Sequence, residues 1–187
     1  MSKKFLDLAF IPGERGREDF QVFWQVMAGK LFTNYSILDV GAGLNFSKDR
    51  LSNNGSNWVV TQDVAPNLPV DIRCDIGFLR DKYFNVVTSF DVIEHIIDVH
   101  SFVEQLIRIA NNFIFITTPN VLISKNQSQF HAREYTGQEL IDLFGSDFDF
   151  RYFIGDPHGE NIKEVDRKEF TSLENKMPHL GLLVIKR

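Results

Sequence analysis

The sequence predicts an α/β fold in which a mostly parallel sheet carries helices on both faces. Three observations lead to this prediction. Short apolar runs without helical periodicity alternate along the chain with segments that have it. The first run, residues 37–40, ends in the pair Gly41 and Gly43, which lets the backbone turn sharply after a buried strand. No convincing helix separates the last two predicted strands, so we expect that pair to be antiparallel.

Seven strands are expected from the apolar runs and from the breaks that end them. They lie at residues 37–40, 58–63, 70–74, 83–90, 113–117, 148–154 and 182–185. The polar stretch at residues 155–177 is expected to be a solvated loop, with a mobile lid as the alternative.

Four helices are expected between or before these strands. Residues 18–31 carry an apolar stripe at helical spacing, formed by Phe20, Phe23, Trp24, Met27 and Leu31. A short helix is expected at residues 47–51. Capping-box patterns open two more helices, one at Ser101 with Glu104 and one at Thr136 with Glu139, and Gly145 ends the second.

Length and composition predict a single globular domain over residues 1–187. The hydrophobic share is 43% and the charged share 24%, as in ordinary globular proteins. The net charge of −5 argues against an extended nucleic-acid-binding surface. With Cys74 as the single cysteine, no internal disulfide forms, which fits a reducing compartment. We expect no signal peptide, no membrane span and a cytoplasmic location.

Carboxylates follow successive predicted strands. In a parallel sheet these strand ends share one rim, where ligands bind. The residues concerned are Asp39, Asp63, Asp75 and Asp91. Such a rim disfavours phosphate and suits a ligand with hydroxyls and a positive charge. A nicotinamide dinucleotide is therefore disfavoured, also because Phe46 stands where the third glycine of that fingerprint belongs.

These segments resemble the class I S-adenosylmethionine-dependent methyltransferases, in particular their small-molecule-type domain. The similarity runs over about residues 35–144 and involves, in order, LDVGAG, VVTQDVAP, CDIGFL, FNVVTSFDVIEHI, FIFITTPN and HAREYTGQEL. The resemblance implies a Rossmann-like, seven-stranded, mostly parallel sheet with an antiparallel last strand. It also implies S-adenosyl-L-methionine as cofactor and S-adenosyl-L-homocysteine as product.

The resemblance further implies eight cofactor-binding residues. They are Asp39, Gly41 and Gly43 for the methionine part, Asp63 for the ribose, Asp75 and Ile76 for the adenine, and Phe90 and Asp91 beneath the methionine and reactive end. Asn45 departs from the family pattern, in which a third glycine is common. Since asparagine tolerates the left-handed backbone conformation, we expect the turn to be kept.

The implied reaction moves a methyl group to an oxygen or nitrogen on a small molecule or a terminal, glycan-like sugar group. His95 and His131 are the candidate catalytic bases, because histidine titrates near neutral pH. The other histidines, His100, His158 and His179, are expected at the surface. A non-catalytic cofactor-binding or regulatory module with the same fold is the alternative from another class.

A metal site is a second alternative. Asp91, Glu94 and His95, with the later His131, resemble the E-x-x-E-H plus H metal site of small-RNA 3′-terminal 2′-O-methyltransferases. Mixed carboxylate and imidazole ligands suit Mg²⁺, Mn²⁺ or Zn²⁺. In the competing interpretation Glu94 and His95 begin a helix and pack beside the cofactor, so no metal ligand is assigned from the sequence.

Overall fold

The computed structural model describes residues 21–56, 58–126 and 128–187. Its strands form one eight-stranded sheet. They are β1 Ser36–Val40, β2 Trp58–Asp63, β3 Ile72–Arg73, β4 Phe84–Phe90, β5 Ala110–Pro119, β6 Phe148–Gly155, β7 Lys163–Val165 and β8 His179–Lys186.

The strand order is β3-β2-β1-β4-β5-β8-β6-β7. The first five strands of this order are parallel, and β8 pairs antiparallel with both β5 and β6. The predicted fold class and the antiparallel last strand are therefore confirmed. One strand, β7, was not predicted. It lies within residues 155–177, which were expected to be a loop, and pairs antiparallel with β6.

The α-helices are α1 Val22–Leu31, α2 Phe46–Ser52, α3 Val99–Ile109, α4 Val121–Ser124, α5 Gly137–Phe144 and α6 Arg167–Thr171. The capping box of Thr136 and Glu139 is present at the start of α5, and Gly145 ends that helix with φ 78°. The capping box predicted at Ser101 is wrong, because Asp98 caps α3 by accepting the Ser101 backbone N–H. Aspartate is a preferred N-cap residue, so α3 begins after Asp98, about one turn before the predicted cap at Ser101.

The predicted stripe of the first helix is partly wrong. Its residues 18–20 lie outside the described part of the chain. Trp24 is fully buried as expected, but Phe23 is 46% exposed while Gln25 is buried. Arg50 donates to Gln25 Oε1 at 2.8 Å, so the buried amide has a charged partner on α2.

The core has two layers, one on each face of the sheet. On one face, Trp24 of α1 packs with Phe115 and Phe153. On the other, α3 and α5 cover the sheet, and Leu106 and Tyr135 are buried among its aliphatic side chains. Among the residues that the structure describes, no α-helix combines the length and the apolar composition that a membrane span requires. The packed sheet leaves its carboxyl-end rim as the place where loops from several strands meet.

Candidate functional site at the carboxyl-end rim of the sheet

The strand order decides which loops are neighbours at the rim. Going across the sheet, the ends of β3, β2, β1, β4 and β5 follow one another. Because β8 is antiparallel, its first residue joins the same rim: His179 lies opposite Pro119, the last residue of β5. The rim therefore combines the predicted carboxylates with a residue from the far end of the chain.

The glycine loop after β1 is held tightly against its neighbours. Gly41 has φ 73°, and a Cβ there would lie 2.5 Å from Cγ2 of Val92, so the segment after β4 packs directly on it. Gly43 has φ 55° and its backbone N–H donates to Asp63 Oδ2 at 3.0 Å. Asn45 adopts the left-handed conformation, φ 68°, as predicted for the residue in place of a third glycine. The loop after β1 thus contacts the ends of both β2 and β4.

Asp39 lies beneath the loop rather than on its surface. It is 2% exposed, and its carboxylate accepts from Ser47 Oγ at 2.5 Å and Thr88 Oγ1 at 2.7 Å. Burial raises the pKa of Asp39 to about 6, and the two hydroxyl hydrogen bonds only partly oppose this. The side chain that the sequence assigned to the methionine part is therefore engaged with the protein itself.

The side of the rim near β2 and β3 carries the predicted ribose and adenine residues. Asp63 Oδ1 accepts the Ala65 N–H at 2.9 Å, which fixes the carboxylate beside the glycine loop. Asp75 caps the 3₁₀ helix Ile76–Phe78 by accepting the Gly77 N–H at 2.7 Å. These two acids and Ile76 stand on adjacent strand ends, in the order that the resemblance implies.

Asp91 differs from the other predicted site residues that carry a side chain, because its φ is positive. It follows Phe90, whose ring is buried in the core against Phe115. Its φ of 51° is unusual for a residue with a side chain. Asp91 accepts from Thr117 Oγ1 at 2.8 Å and lies 2.9 Å from His179 Nε2. It therefore points to β5 and β8.

His179 corrects a prediction, since it was expected at the surface and is only 4% exposed. His100 and His158 are exposed as predicted. Burial opposes the charged form of His179, but the carboxylate of Asp91 outweighs this and raises the pKa of His179. The same pairing lowers the pKa of Asp91 against the effect of burial.

A second cluster lies on the other side of the end of β4. Glu94, His95 and His131 each offer one ligand atom, and these atoms lie within 4.8 Å of one another. The cluster forms because the Glu94 carbonyl accepts the N–H groups of Ala132, at 2.7 Å, and Arg133, at 3.1 Å. The segments around Glu94 and Ala132 are thereby joined through their backbones. Asp91 does not belong to this cluster, so three of the four residues of the metal-like pattern come together.

The ring orientation of both histidines is fixed by acceptors on Nδ1. His95 Nδ1 lies 2.8 Å from the Phe130 carbonyl, and His131 Nδ1 lies 2.5 Å from Glu134 Oε1. An acceptor at Nδ1 makes that nitrogen the N–H and puts the lone pair of the neutral ring on Nε2. Metal-binding histidines show this arrangement almost always, with a carbonyl or carboxylate as the supporting group.

Glu94 supplies the carboxylate of this cluster and is fully buried. Oε2 accepts from Thr118 Oγ1 at 3.0 Å, whereas Oε1 has no hydrogen-bond partner among the residues that the structure describes. Burial, and then the charge of Asp91, raise the pKa of Glu94 well above its usual value. A cation would supply what this oxygen lacks, so the donor set fits a divalent metal.

Glu134 is a supporting residue that sequence reasoning did not single out as functional. It is 3% exposed, and besides His131 it accepts from the Ser124 hydroxyl and from the Asn126 N–H. Burial opposes ionisation, but these hydrogen bonds together lower the pKa of Glu134. The spacing of His131 and Glu134, three residues, was the signal available in the sequence.

Comparison with known proteins gives one related sequence and many related folds. No protein-family model matches the chain. A protein of Mycolicibacterium smegmatis named "Probable S-adenosylmethionine-dependent methyltransferase" is 30% identical over 103 residues, which cover 51% of this chain and 40% of that protein. The chain thus spans about 40% of the length of this curated relative.

Three solved structures illustrate the likeness of fold. A "SAM-dependent methyltransferase, possible histamine N-methyltransferase" from Thermotoga maritima has a TM-score of 0.68 at 15% identity, covering 91% of each chain. Magnesium protoporphyrin IX methyltransferase from Synechocystis PCC 6803, with bound S-adenosylmethionine, has 0.58 at 15% identity, covering 89% of this chain and 76% of that one. A small RNA methyltransferase has 0.68 at 12% identity, covering 100% of this chain and 27% of that one.

At these identities the structures establish the fold, which is the Rossmann-like fold of the class I S-adenosylmethionine-dependent methyltransferases. With the related sequence, they confirm the resemblance that the motifs indicated.

Proposed function

We propose that this chain is an S-adenosylmethionine-dependent methyltransferase whose cofactor lies along the rim from β3 to β4. The observation that carries the proposal is the contact between the glycine loop and Asp63, in which the Gly43 N–H donates to the carboxylate. This contact holds an acidic acceptor for the ribose hydroxyls beside a loop that leaves room for the rest of the cofactor. Asp75 and Ile76 then lie where an adenine would continue across β3.

Methyl transfer from a sulfonium needs little covalent help from the protein. The methyl group is already activated by the positive sulfur, so orientation of the acceptor supplies much of the catalysis. A base is required only where the acceptor loses a proton. A non-catalytic module with this fold would bind the cofactor equally well. Methyl transfer to any acceptor would distinguish an enzyme from such a module.

The binding part of this proposal is tested by calorimetric titration with S-adenosylhomocysteine. Asp63→Ala should weaken binding by about tenfold or more, since it removes a charged acceptor of hydrogen bonds. Asp149→Ala is the matched control, because Asp149 is an exposed acid paired with Arg187 on the outer part of the sheet. Equal affinity of wild type and Asp63→Ala would contradict the proposed position of the ribose.

For the acceptor we propose a hydroxyl or amine on a small molecule or on a terminal, sugar-like group. One cluster favours a narrower second candidate, a metal-assisted 2′-O-methyltransferase. Glu94, His95 and His131 would hold a divalent cation, and Glu134 would orient His131. Such a cation would bind acceptor hydroxyls and lower the pKa of the one that is methylated.

The metal is tested by elemental analysis of purified protein before and after chelation, and by titration of the chelated protein with Mn²⁺ and Zn²⁺. His131→Ala should abolish binding, and Glu134→Gln should weaken it by about 10–100-fold, the usual effect of losing a supporting carboxylate. His100→Ala, which removes an exposed histidine outside the cluster, should bind as wild type. Activity unchanged in chelator would remove the metal-assisted candidate and leave the first proposal intact.

A further inference from the structure

Two side-chain amides at the start of α1 connect helix α2 with the end of strand β4. Gln25, which is buried, donates through Nε2 to Gln21 Oε1 at 3.3 Å. At one end of this pair, Arg50 of α2 donates to Gln25 Oε1 at 2.8 Å. At the other end, Gln21 Nε2 donates to the Phe90 carbonyl at 3.3 Å. Gln21 and Gln25 thus form a glutamine bridge between two elements that adjoin the rim.

The groups at the two ends fix the direction of the glutamine bridge. A guanidinium can only donate, so Gln25 turns its oxygen to Arg50 and its NH₂ group to Gln21. The NH₂ group of Gln21 then faces acceptors, the carbonyl of Phe90 and the carboxylate of Asp91. Every donor therefore points from α2 towards β4, and hydrogen bonds in such a series polarise one another.

Asp91 is the group at the far end of the glutamine bridge, which helps to keep it ionised. Burial raises the pKa of Asp91, but the charge of His179 and hydrogen bonds from neighbouring side chains, Gln21 among them, lower it. The backbone of Asp91 has φ 51°, and its N–H donates to the Thr117 carbonyl at 3.1 Å. Gln21 thus holds the turn after β4 from α1, while Thr117 and His179 hold it from β5 and β8.

The glutamine bridge closes a ring of contacts that includes the glycine loop. α2 begins directly after this loop, and Arg50 lies over the ring of Phe46, 5.6 Å from its centroid. At the end of β4, Val92 lies against Gly41, where a Cβ would be 2.5 Å from Val92 Cγ2. The contacts therefore run from the glycine loop through α2, α1 and the end of β4 back to the loop. A loop held in this way needs less ordering when a ligand binds, which favours affinity.

We propose that Gln21 and Gln25 are positioning residues, which fix the glycine loop relative to the end of β4 and thereby increase affinity for the cofactor. The inference rests on the proposed function, since it requires that the cofactor lies along this part of the rim. Neither glutamine needs to touch the cofactor. A glutamine with only a packing role could be replaced by a side chain of the same size at little cost to binding, because its volume would be kept.

The test is Gln25→Glu, which keeps the size of the side chain and its arginine partner but removes the donor to Gln21. Two oxygens then face each other unless the Gln21 amide turns over. Turning it places its oxygen against the Phe90 carbonyl and the carboxylate of Asp91, so the glutamine bridge is broken in either case. Calorimetric titration should show S-adenosylhomocysteine bound about tenfold more weakly, as expected for losing one hydrogen bond to a charged group. Cooperative urea unfolding verifies that the variant is folded.

A second variant, Gln21→Met, removes the donor at the β4 end and should weaken binding by a similar factor. The double variant Gln21→Met/Gln25→Glu should bind no more weakly than Gln21→Met, because the two changes break the same bridge. Gln105→Glu is the matched control. Gln105 Oε1 also accepts from an arginine, Arg108 Nε at 2.8 Å, and it lies on α3, on the other face of the sheet from α1, so this variant should bind as wild type.

A packing role predicts a different result. If Gln25→Glu binds S-adenosylhomocysteine as wild type does, the inference is overturned and the proposed function stands. Additive losses in the double variant also overturn the inference, since they would show that the two glutamines act separately. A wild-type protein that binds no S-adenosylhomocysteine overturns the inference and the proposed function together.

Discussion

Asp39 shows how a single buried carboxyl can oppose folding while it organises a site. Its oxygens receive the hydroxyls of Ser47 and Thr88, which link β1 to α2 and β4. Burial nevertheless raises its pKa from 3.8 to about 6. The folded protein therefore binds a proton more tightly here than the unfolded chain does. Stability that is present at about pH 4 is lost as the pH rises through about 6.

Asp39→Asn should consequently stabilise the protein at neutral pH. The amide oxygen can accept from one hydroxyl and the amide N–H₂ can donate to the other, so no buried group is left unpaired. The gain should approach roughly 3 kcal/mol at pH 7.5 and be small at pH 4, because the difference between the two pKa values corresponds to that free energy. Urea unfolding of wild type and variant at both pH values measures it. A variant no more stable than wild type at pH 7.5 would contradict the expectation.

Sequence reasoning located the site residues whose position depends on chain order, and missed those whose position depends on contacts between distant strands. Asp63 and Asp75 stand at the ends of two predicted strands, so their place at the rim follows from chain order alone. His179 reaches Asp91 across 88 positions in the sequence, through the pairing of β8 with β5. No local spacing encodes that contact. His95 and His131 were singled out as bases, and the structure brings them together with Glu94, while their roles stay a prediction.

Among the elements, those with a strong local signal were predicted accurately. The capping box at Thr136 and the stop at Gly145 both lie where expected, because cap geometry depends on a few consecutive residues. The same pattern at Ser101 was misleading, since Asp98 offers a competing cap one turn earlier. Asp98 and Ser101 are both acceptable N-cap residues. The choice between them depends on how α3 packs, and a local sequence pattern carries no information on packing.

The polar stretch at residues 155–177 is the longest segment in which secondary structure was present but not predicted. It contains β7 and α6, both too short to show periodicity. β7 is stabilised by its pairing with β6, including an Arg151–Glu164 ion pair, and α6 by burial of Phe170. Tertiary contacts thus order a segment whose composition resembles a loop. Whether part of it moves as a lid stays a prediction.

For the whole molecule, the order of the strands divides the rim into two regions on either side of β4. The ends of β3, β2 and β1 carry the acids and the glycine loop assigned to the cofactor. The ends of β4 and β5 carry Asp91 with His179 towards one face and Glu94 with Thr118 towards the other. The end of β4 lies between the Asp91–His179 pair and the Glu94–Thr118 pair. A cofactor bound along β3, β2 and β1 and an acceptor bound beyond β4 would therefore meet at the end of β4.

This arrangement predicts which ligand stabilises the fold as a whole. S-adenosylhomocysteine at about 100 times its Kd should stabilise the native state by about 2.7 kcal/mol, because it binds the folded chain only. For a protein of this length the Tm should then rise by about 5–10 °C. Reduced nicotinamide dinucleotide should cause no shift, since its phosphates would face the acidic rim. Differential scanning calorimetry of wild type and Asp63→Ala with each ligand measures this, and the variant should show a smaller rise. A shift with the dinucleotide but not with S-adenosylhomocysteine would reassign the rim to the other cofactor class.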